Sequence, residues 1–149
     1  MKKGIGMGEL YGWAGKILRV DLSTGRIHTQ DSLKYFPEYV GGKGVATKIA
    51  WDELRPGVGP YDPDNPIMFM NGPFAGTLAP TSGRGVVCSI SPRVFPTPWF
   101  TYGGIGGNWC PELKFAGFDG VVIKGISDKP VYLWIEDGEA EIKDAGHLW

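Results

Sequence analysis

The sequence has few of the residues on which enzymes most often build a metal site or a disulfide framework. Its 149 residues include two cysteines and two histidines. Cys88 and Cys110 are too few for the disulfide framework of a small secreted domain, so we predict reduced thiols in a cytoplasmic protein. His28 and His147 have no cysteine or carboxylate at ligand spacing, which argues against a metal site built on them.

An excess of charge of one sign and long apolar runs are also absent. The formal net charge is −1, which gives no electrostatic support for binding to nucleic acid or to a membrane surface. No apolar run approaches the length of a membrane span. The two lysines near the N-terminus are not followed by an apolar segment, so we do not expect a signal peptide there. The sequence also lacks a Ser-His-Asp or Cys-His pattern, and we predict no catalytic residue on this chain.

Glycine and proline are abundant, with 24 and 12 residues, about a quarter of the chain. They are interleaved with valine, isoleucine and aromatic residues, which indicates a folded, turn-rich structure and not a low-complexity segment. The length is sufficient for one domain with a hydrophobic core. We predict a flexible tail over residues 1–10 and one domain over 11–149.

Hydrophobic patterns of strand length occur at both ends of the chain and in its middle. They predict β-hairpins over 16–30 and 130–145 and single strands over 67–72, 86–91 and 120–125. Apolar residues at helical spacing predict a helix within 41–57, ended by Pro56, and a shorter helix near 109–116, ended by Gly117.

The expected fold class follows from these elements. Strands predominate, and strands that are neighbours in sequence have the pattern of hairpins, so we predict an α+β fold and not a Rossmann alternation. It would be a mainly antiparallel two-sheet domain with β-hairpins and one or two short helices. The three prolines within 92–100 exclude this segment from the centre of a sheet.

The segment FTYGGIGGNWCPEL contains the strongest local signal for a site. Four of the six residues from Tyr102 to Gly107 are glycine. They serve either a tight turn or the close approach of a ligand to the backbone. A helix beginning near Cys110 or Pro111 would add free N–H groups and a positive dipole end, which suit an anion such as phosphate. The spacing matches neither the dinucleotide fingerprint nor the Walker P-loop.

Three charged residues near small residues or at a helix start admit two interpretations each. Arg84 in PTSGRG is either an exposed loop residue or a planar cation that binds a phosphate or a polarised ring system. Lys43 in GGKG presents the same choice. Glu112 on the short helix is either a general base or a residue that stabilises the first helical turn.

Six segments taken together carry a family resemblance that none of them carries alone. In chain order they are YGWAGKILRVDLSTGRI, GGKGVA, PTSGR, GGNWCPELKFAGFDGVVIKG, KPVYLWIEDG and EIKDAGHLW. Over residues 11–149 the chain resembles the N-terminal region of the aldehyde ferredoxin oxidoreductase family, the tungsten-containing enzymes.

The resemblance implies a particular set of cofactors and partners. Tungsten, or molybdenum, is held by two pterin cofactors, with a magnesium ion between their phosphates. A nearby [4Fe-4S] cluster passes electrons to ferredoxin, and the reaction converts an aldehyde and water to a carboxylic acid. The N-terminal domain forms a two-sheet α+β base under the cofactor.

The resemblance also implies roles for particular residues. Arg84 corresponds to an arginine between the cofactor and the cluster. Gly104, Gly106, Gly107 and Asn108 correspond to cofactor-binding positions, and the backbone carbonyl of Gly104 would face magnesium. Relatives commonly carry asparagine at the position of Gly104, but a carbonyl ligand survives that change because every residue has one.

The family's cluster cysteines and acid–base residues lie further along its longer chains and have no counterpart here. We therefore expect a fragment, a split gene product or a stand-alone module, and any cluster would require downstream sequence. We expect the partner of this chain to be the remainder of the enzyme or a separate subunit, and a homo-oligomer is also compatible with the sequence. The alternative function is a non-enzymatic α+β module that binds an anionic ligand or a partner subunit.

Overall fold

A six-stranded mixed sheet organises the residues that the computed structural model describes, which are 11–35, 38–93 and 95–149. The predicted tail over 1–10 lies outside them. The elements are β1 (Lys16–Asp21), β2 (Arg26–Asp31), α1 (Gly42–Glu53), β3 (Ile67–Asn71), β4 (Gly85–Ser91), β5 (Trp99–Ile105), α2 (Trp109–Phe115), β6 (Gly120–Lys124), β7 (Val131–Glu136) and β8 (Glu139–Asp144).

The strand order in the large sheet is β2-β1-β6-β3-β4-β5, and β7 and β8 form a separate two-stranded sheet. The predicted α+β class is confirmed, as are both hairpins, since β1–β2 and β7–β8 are antiparallel pairs. One pair in the large sheet is parallel, because β1 runs beside β6 with Ile17 opposite Gly120. Local sequence patterns contain no sign of this pairing, since its two strands are far apart in the chain.

The two faces of the large sheet are covered by different elements. Strand β1 alternates between them, and Ile17 packs in the core beneath α1. Leu18 and Val20 point to the opposite face, where the core includes Leu113 of α2 and residues of the β7–β8 hairpin. Because β1 is covered on both faces, Ile17 and Leu18 are both buried.

Strand β5 is not among the strands that the sequence patterns predict. It is the edge strand beside β4, consistent with the exclusion of 92–100 from the sheet centre. The strand continues through Gly103 and Gly104 to Ile105, so the tight-turn interpretation is wrong for these two glycines. Helix α2 begins at Trp109, in agreement with the predicted helix near 109–116, and has only seven residues. Gly117 lies just beyond this helix with φ of 91°, as expected for a glycine that ends a helix.

A buried carboxylate joins four parts of the fold. Asp119 directly precedes β6, and both of its oxygens accept hydrogen bonds. Its donors are Ala14 N at 2.9 Å, Gly15 N at 2.9 Å, Ser32 Oγ at 2.5 Å and Lys114 Nζ at 2.5 Å. Lys114 Nζ also donates to the Gly12 carbonyl at 2.6 Å. The segment before β1, the end of β2, α2 and the start of β6 are therefore held at one point.

The first residue of β4 leaves no space for a side chain. A Cβ at Gly85 would lie 2.7 Å from Asn71 Oδ1, 2.8 Å from Cys110 Sγ and 2.8 Å from the Met70 carbonyl oxygen. We expect Gly85→Ala to lower the free energy of unfolding by about 1–3 kcal/mol, because the crowded backbone must shift. Gly103→Ala is the matched control, since a Cβ there meets no atom within 4 Å. Denaturant melts of both variants test this, and equal losses would contradict it.

Candidate functional site at the β4–β5 edge

The pairing of β4 with β5 brings the predicted site residues together. Gly85 lies opposite Ile105, and Val86 lies opposite Gly104. Arg84 directly precedes Gly85, and Gly106 directly follows Ile105. The arginine and the glycine stretch, which are separate motifs in the sequence, therefore meet at the same end of the sheet edge.

The glycine stretch is open to its surroundings. A Cβ added at any of four glycines would meet no atom within 4 Å, and these are Gly103, Gly104, Gly106 and Gly107. Only Gly107 among them has a left-handed backbone, with φ of 80°, so there the conformation itself favours glycine. At the other three positions neither packing nor backbone conformation within the described residues accounts for the missing side chain.

The predicted binding residues share this open surface. Arg84, Gly104, Gly106, Gly107 and Asn108 are all exposed. Asn108 is the N-cap residue of α2, but its side chain makes no capping hydrogen bond. The short helix is therefore a weaker source of anion binding than the sequence patterns suggest. The argument for an anion site rests more on the Arg84 side chain and on the open backbone of the glycines.

A hydrogen bond and an aromatic contact hold α2 against the sheet. Asn71 at the end of β3 is buried, and its Nδ2 donates to the Cys110 carbonyl at 2.9 Å. Trp109 packs on Phe69 with ring centroids 5.2 Å apart. The chain between β5 and α2, which includes Gly106 to Asn108, is thus anchored at both ends.

A second cation lies along the same strand. The Nζ of Lys43, in the first turn of α1, is 3.7 Å from the centroid of the Tyr102 ring. Tyr102 lies in β5, two residues before Gly104. The sequence patterns single out Lys43 but contain no signal for its contact with Tyr102, because the two residues are brought together only by the packing of α1 on the sheet.

Other candidate residues lie elsewhere. Glu112 is exposed on α2, and its suggested role as a general base stays a prediction. His28 lies in β2, the edge strand farthest from β5, and His147 lies in a short 3-10 helix near the C-terminus. Within the described residues, no group of three or more His, Cys, Asp or Glu side chains could hold a metal ion.

The two cysteines are free and buried. Burial raises the pKa of Cys88 to about 11, and burial also raises the pKa of Cys110. Both thiols are therefore protonated at neutral pH and hidden from solvent, which does not suit them to iron–sulfur ligation as the domain stands. Across the described ranges, no helix is long and apolar enough to cross a membrane.

Comparisons with known proteins agree with this architecture. Residues 17–149 match the model of the aldehyde ferredoxin oxidoreductase N-terminal domain. The chain is 40% identical over 141 residues to the tungsten-containing aldehyde ferredoxin oxidoreductases of Thermococcus kodakarensis and Pyrococcus furiosus, a region that is 94% of this chain. The matched region is 23% of each of those relatives, so the chain spans about a quarter of their length.

Proteins with other named activities share the domain. An aliphatic sulfonate oxidoreductase WOR-like subunit of Pyrococcus furiosus is 32% identical over 147 residues. Among solved structures, the active-site complex BamBC of benzoyl-coenzyme A reductase, solved with 1,5-dienoyl-CoA, matches with a TM-score of 0.87 and 38% identity. That match covers 93% of this chain and 21% of the solved chain.

The fold and the matched residues 17–149 together define an N-terminal domain of the aldehyde ferredoxin oxidoreductase type. The chain belongs to the aldehyde ferredoxin oxidoreductase family.

Proposed function

We propose that this chain forms one wall of a tungsten-bispterin site and binds the anionic part of that cofactor. The observation that carries the proposal is the juxtaposition of Arg84 with the open glycine backbone at the β4–β5 edge. It occurs in a chain 40% identical to tungsten-containing enzymes. A guanidinium and an unobstructed backbone are well suited to a phosphate group.

The residues present fit some parts of the cofactor assembly and not others. The phosphate fits, because Gly104, Gly106 and Gly107 have no side chain that would obstruct it. For magnesium we propose that this chain supplies only the Gly104 carbonyl, since magnesium keeps several waters and takes phosphate oxygens. The redox chemistry belongs to the cofactor, tungsten or molybdenum, and the residues here bind and orient it.

The proposed reaction is the oxidation of an aldehyde to a carboxylic acid in the cytoplasm, with electrons passing through a [4Fe-4S] cluster to ferredoxin. The cluster and the acid–base residues would lie in the remainder of the enzyme or in a separate subunit. The chain spans 23% of the relatives on which this assignment rests. The reaction is therefore proposed for the assembled enzyme, and cofactor binding is proposed for this domain.

A second candidate is the same domain in an aromatic acyl-CoA reductase. The 38% identity to the benzoyl-coenzyme A reductase complex is close to the 40% identity to the aldehyde enzymes. The third candidate, a non-enzymatic module that binds an anion or a partner, requires no further subunit. The three candidates are separated by assaying the assembled protein in parallel with an aldehyde and with a benzoyl thioester, each with a redox dye. Activity with the aldehyde supports the first candidate, activity with the thioester the second, and activity with neither the third.

Arg84→Gln in the assembled enzyme should reduce tungsten content and turnover at least about tenfold, the equivalent of ~1.4 kcal/mol of lost binding. The thermal melt of the domain should not change, because Arg84 is exposed. Arg93→Gln is the control, since Arg93 is also exposed and lies beyond the other end of β4. Metal analysis per protein gives the result, and full tungsten occupancy in Arg84→Gln would exclude the assigned role.

The 149-residue chain by itself should bind no iron–sulfur cluster and oxidise no aldehyde. A [4Fe-4S] cluster takes about four thiolates, and the chain has two cysteines, both buried. Large apolar side chains such as Trp51, Leu78 and Phe95 are almost fully exposed, so we also expect self-association. Anaerobic iron analysis, dye reduction and size-exclusion chromatography test these points. A monomer with stoichiometric iron and activity would contradict them.

A further inference from the structure

We propose that Lys43 is a second cation of this site, held by the ring of Tyr102, and that with Arg84 it binds a phosphate-bearing anion over Gly104. The inference rests on the proposed function and deepens it, because it assigns a binding role to Lys43, a residue to which the family resemblance gives none. It is carried by the contact of Lys43 with Tyr102 in β5, taken together with the open backbone at Gly104.

The strand register places Tyr102 and Gly104 along one face of the sheet. Cys88 and Val86 pack toward α1, and they lie opposite Tyr102 and Gly104 respectively. Tyr102 and Gly104 therefore point to the face that α1 covers, about 7 Å apart along the strand. Arg84 lies two residues before Val86, beyond the far side of Gly104. The bare backbone of Gly104 thus lies between the Lys43–Tyr102 contact on one side and, on the other, the end of the sheet where Arg84 precedes β4.

Helix stability does not explain a lysine at position 43. It lies in the first turn of α1, where the helix dipole disfavours a cation, and that turn contains no acidic residue. No carboxylate pairs with Lys43 among the residues that the structure describes. Lys48, on the same helix, behaves as a structural lysine: its Nζ lies 2.5 Å from Asp52 Oδ1, and this hydrogen bond raises the pKa of Lys48.

The contact with Tyr102 leaves Lys43 able to bind an anion. A cation over a ring face is held by the ring quadrupole, and the ammonium retains N–H donors that point away from the ring. A phosphate monoester carries a charge of about −1.5 to −2 at neutral pH, which two cations match. Lysine supplies a compact charge and arginine a planar set of donors, so together they hold such a group from two sides.

The test is a calorimetric titration with inorganic pyrophosphate at low ionic strength, performed on the 149-residue chain at a concentration at which size-exclusion chromatography gives one oligomeric state for the wild type and every variant. We expect Lys43→Gln and Arg84→Gln each to weaken binding at least about tenfold and Lys48→Gln to leave it unchanged. Tyr102→Phe should retain affinity, because the ring is kept, and Tyr102→Leu should reduce it. Lys43→Gln should melt at or above the wild-type temperature, which separates a binding role from a structural one.

The possible failures are distinguishable. Wild-type affinity in Lys43→Gln, with weakened binding in Arg84→Gln, would overturn the inference and leave the proposed function standing. A wild-type chain that binds no pyrophosphate in the millimolar range would also overturn the inference. The proposed function itself is tested separately, through the tungsten content and turnover of the assembled enzyme.

Discussion

Replacement of Asp119 with asparagine should lower the free energy of unfolding of the domain by about 3–5 kcal/mol, the usual cost of breaking a buried ion pair. The side chains of Asp119 and Lys114 are only 5% and 8% exposed. Asparagine would leave the Lys114 ammonium buried without its counter-charge. It would also replace one of two acceptor oxygens with an amide donor, which opposes the N–H groups now bonded there.

This loss is large beside the total stability of a typical domain, about 5–15 kcal/mol. Asp52→Asn is the matched control, because Asp52 pairs with Lys48 on the exposed side of α1. An exposed pair four residues apart on a helix contributes only about 0.3–0.5 kcal/mol. Chemical denaturation of both variants measures the difference. Similar losses in the two would show that the Asp119 network does not hold the fold together.

Lys114→Met provides a further check on the same network. It removes the cation and leaves Asp119 with the donors Ala14, Gly15 and Ser32. We expect a smaller loss than in Asp119→Asn, because these three hydrogen bonds can persist. The double variant should lose less than the sum of the single losses, since both changes disrupt one interaction.

In the assembled enzyme, Gly106→Val should abolish cofactor loading while leaving the domain folded. Gly106 lies beside Arg84 at the end of the β4–β5 pair, and a Cβ there meets no atom within 4 Å. Its φ is outside the left-handed region, so valine imposes no backbone strain of that kind. A branched side chain would occupy only the space into which we propose that the phosphate enters. Tungsten content should therefore fall at least about tenfold.

Gly103→Val is the control for Gly106→Val. Gly103 is also exposed, has equally open space and lies in the same segment, but in β5 it points to the face opposite Gly104. Valine is favoured in strands over glycine, so this control should melt at or above the wild-type temperature. Metal analysis of both variants measures cofactor loading, and their thermal melts show whether the domain stays folded. Normal tungsten content in Gly106→Val would exclude a close approach of the cofactor at this glycine.

Much of the secondary structure follows from residues that are close in sequence. The alternation in KILRVD and RIHTQD, separated by LSTG, is sufficient for the β1–β2 hairpin. Helix α1 is predicted because Val45, Ala46 and Ile49 recur at helical spacing, and all three are buried as expected. The candidate site is predicted as separate pieces, Arg84 in one motif and the glycines in another, with no spacing rule that joins them.

The amino-acid sequence by itself determined the α+β class, the hairpins, the two helices and the family, because each depends on local patterns or on motifs in a fixed order. The tertiary structure alone decided the parallel β1–β6 pair, the extension of β5 into the glycine stretch, the burial of Asp119 against Lys114, and the contact of Lys43 with Tyr102. All four depend on strand register or helix packing between distant segments. An isolated polar residue has the same appearance in a sequence whether it faces water or a buried partner, so its neighbours become known only when the chain has folded.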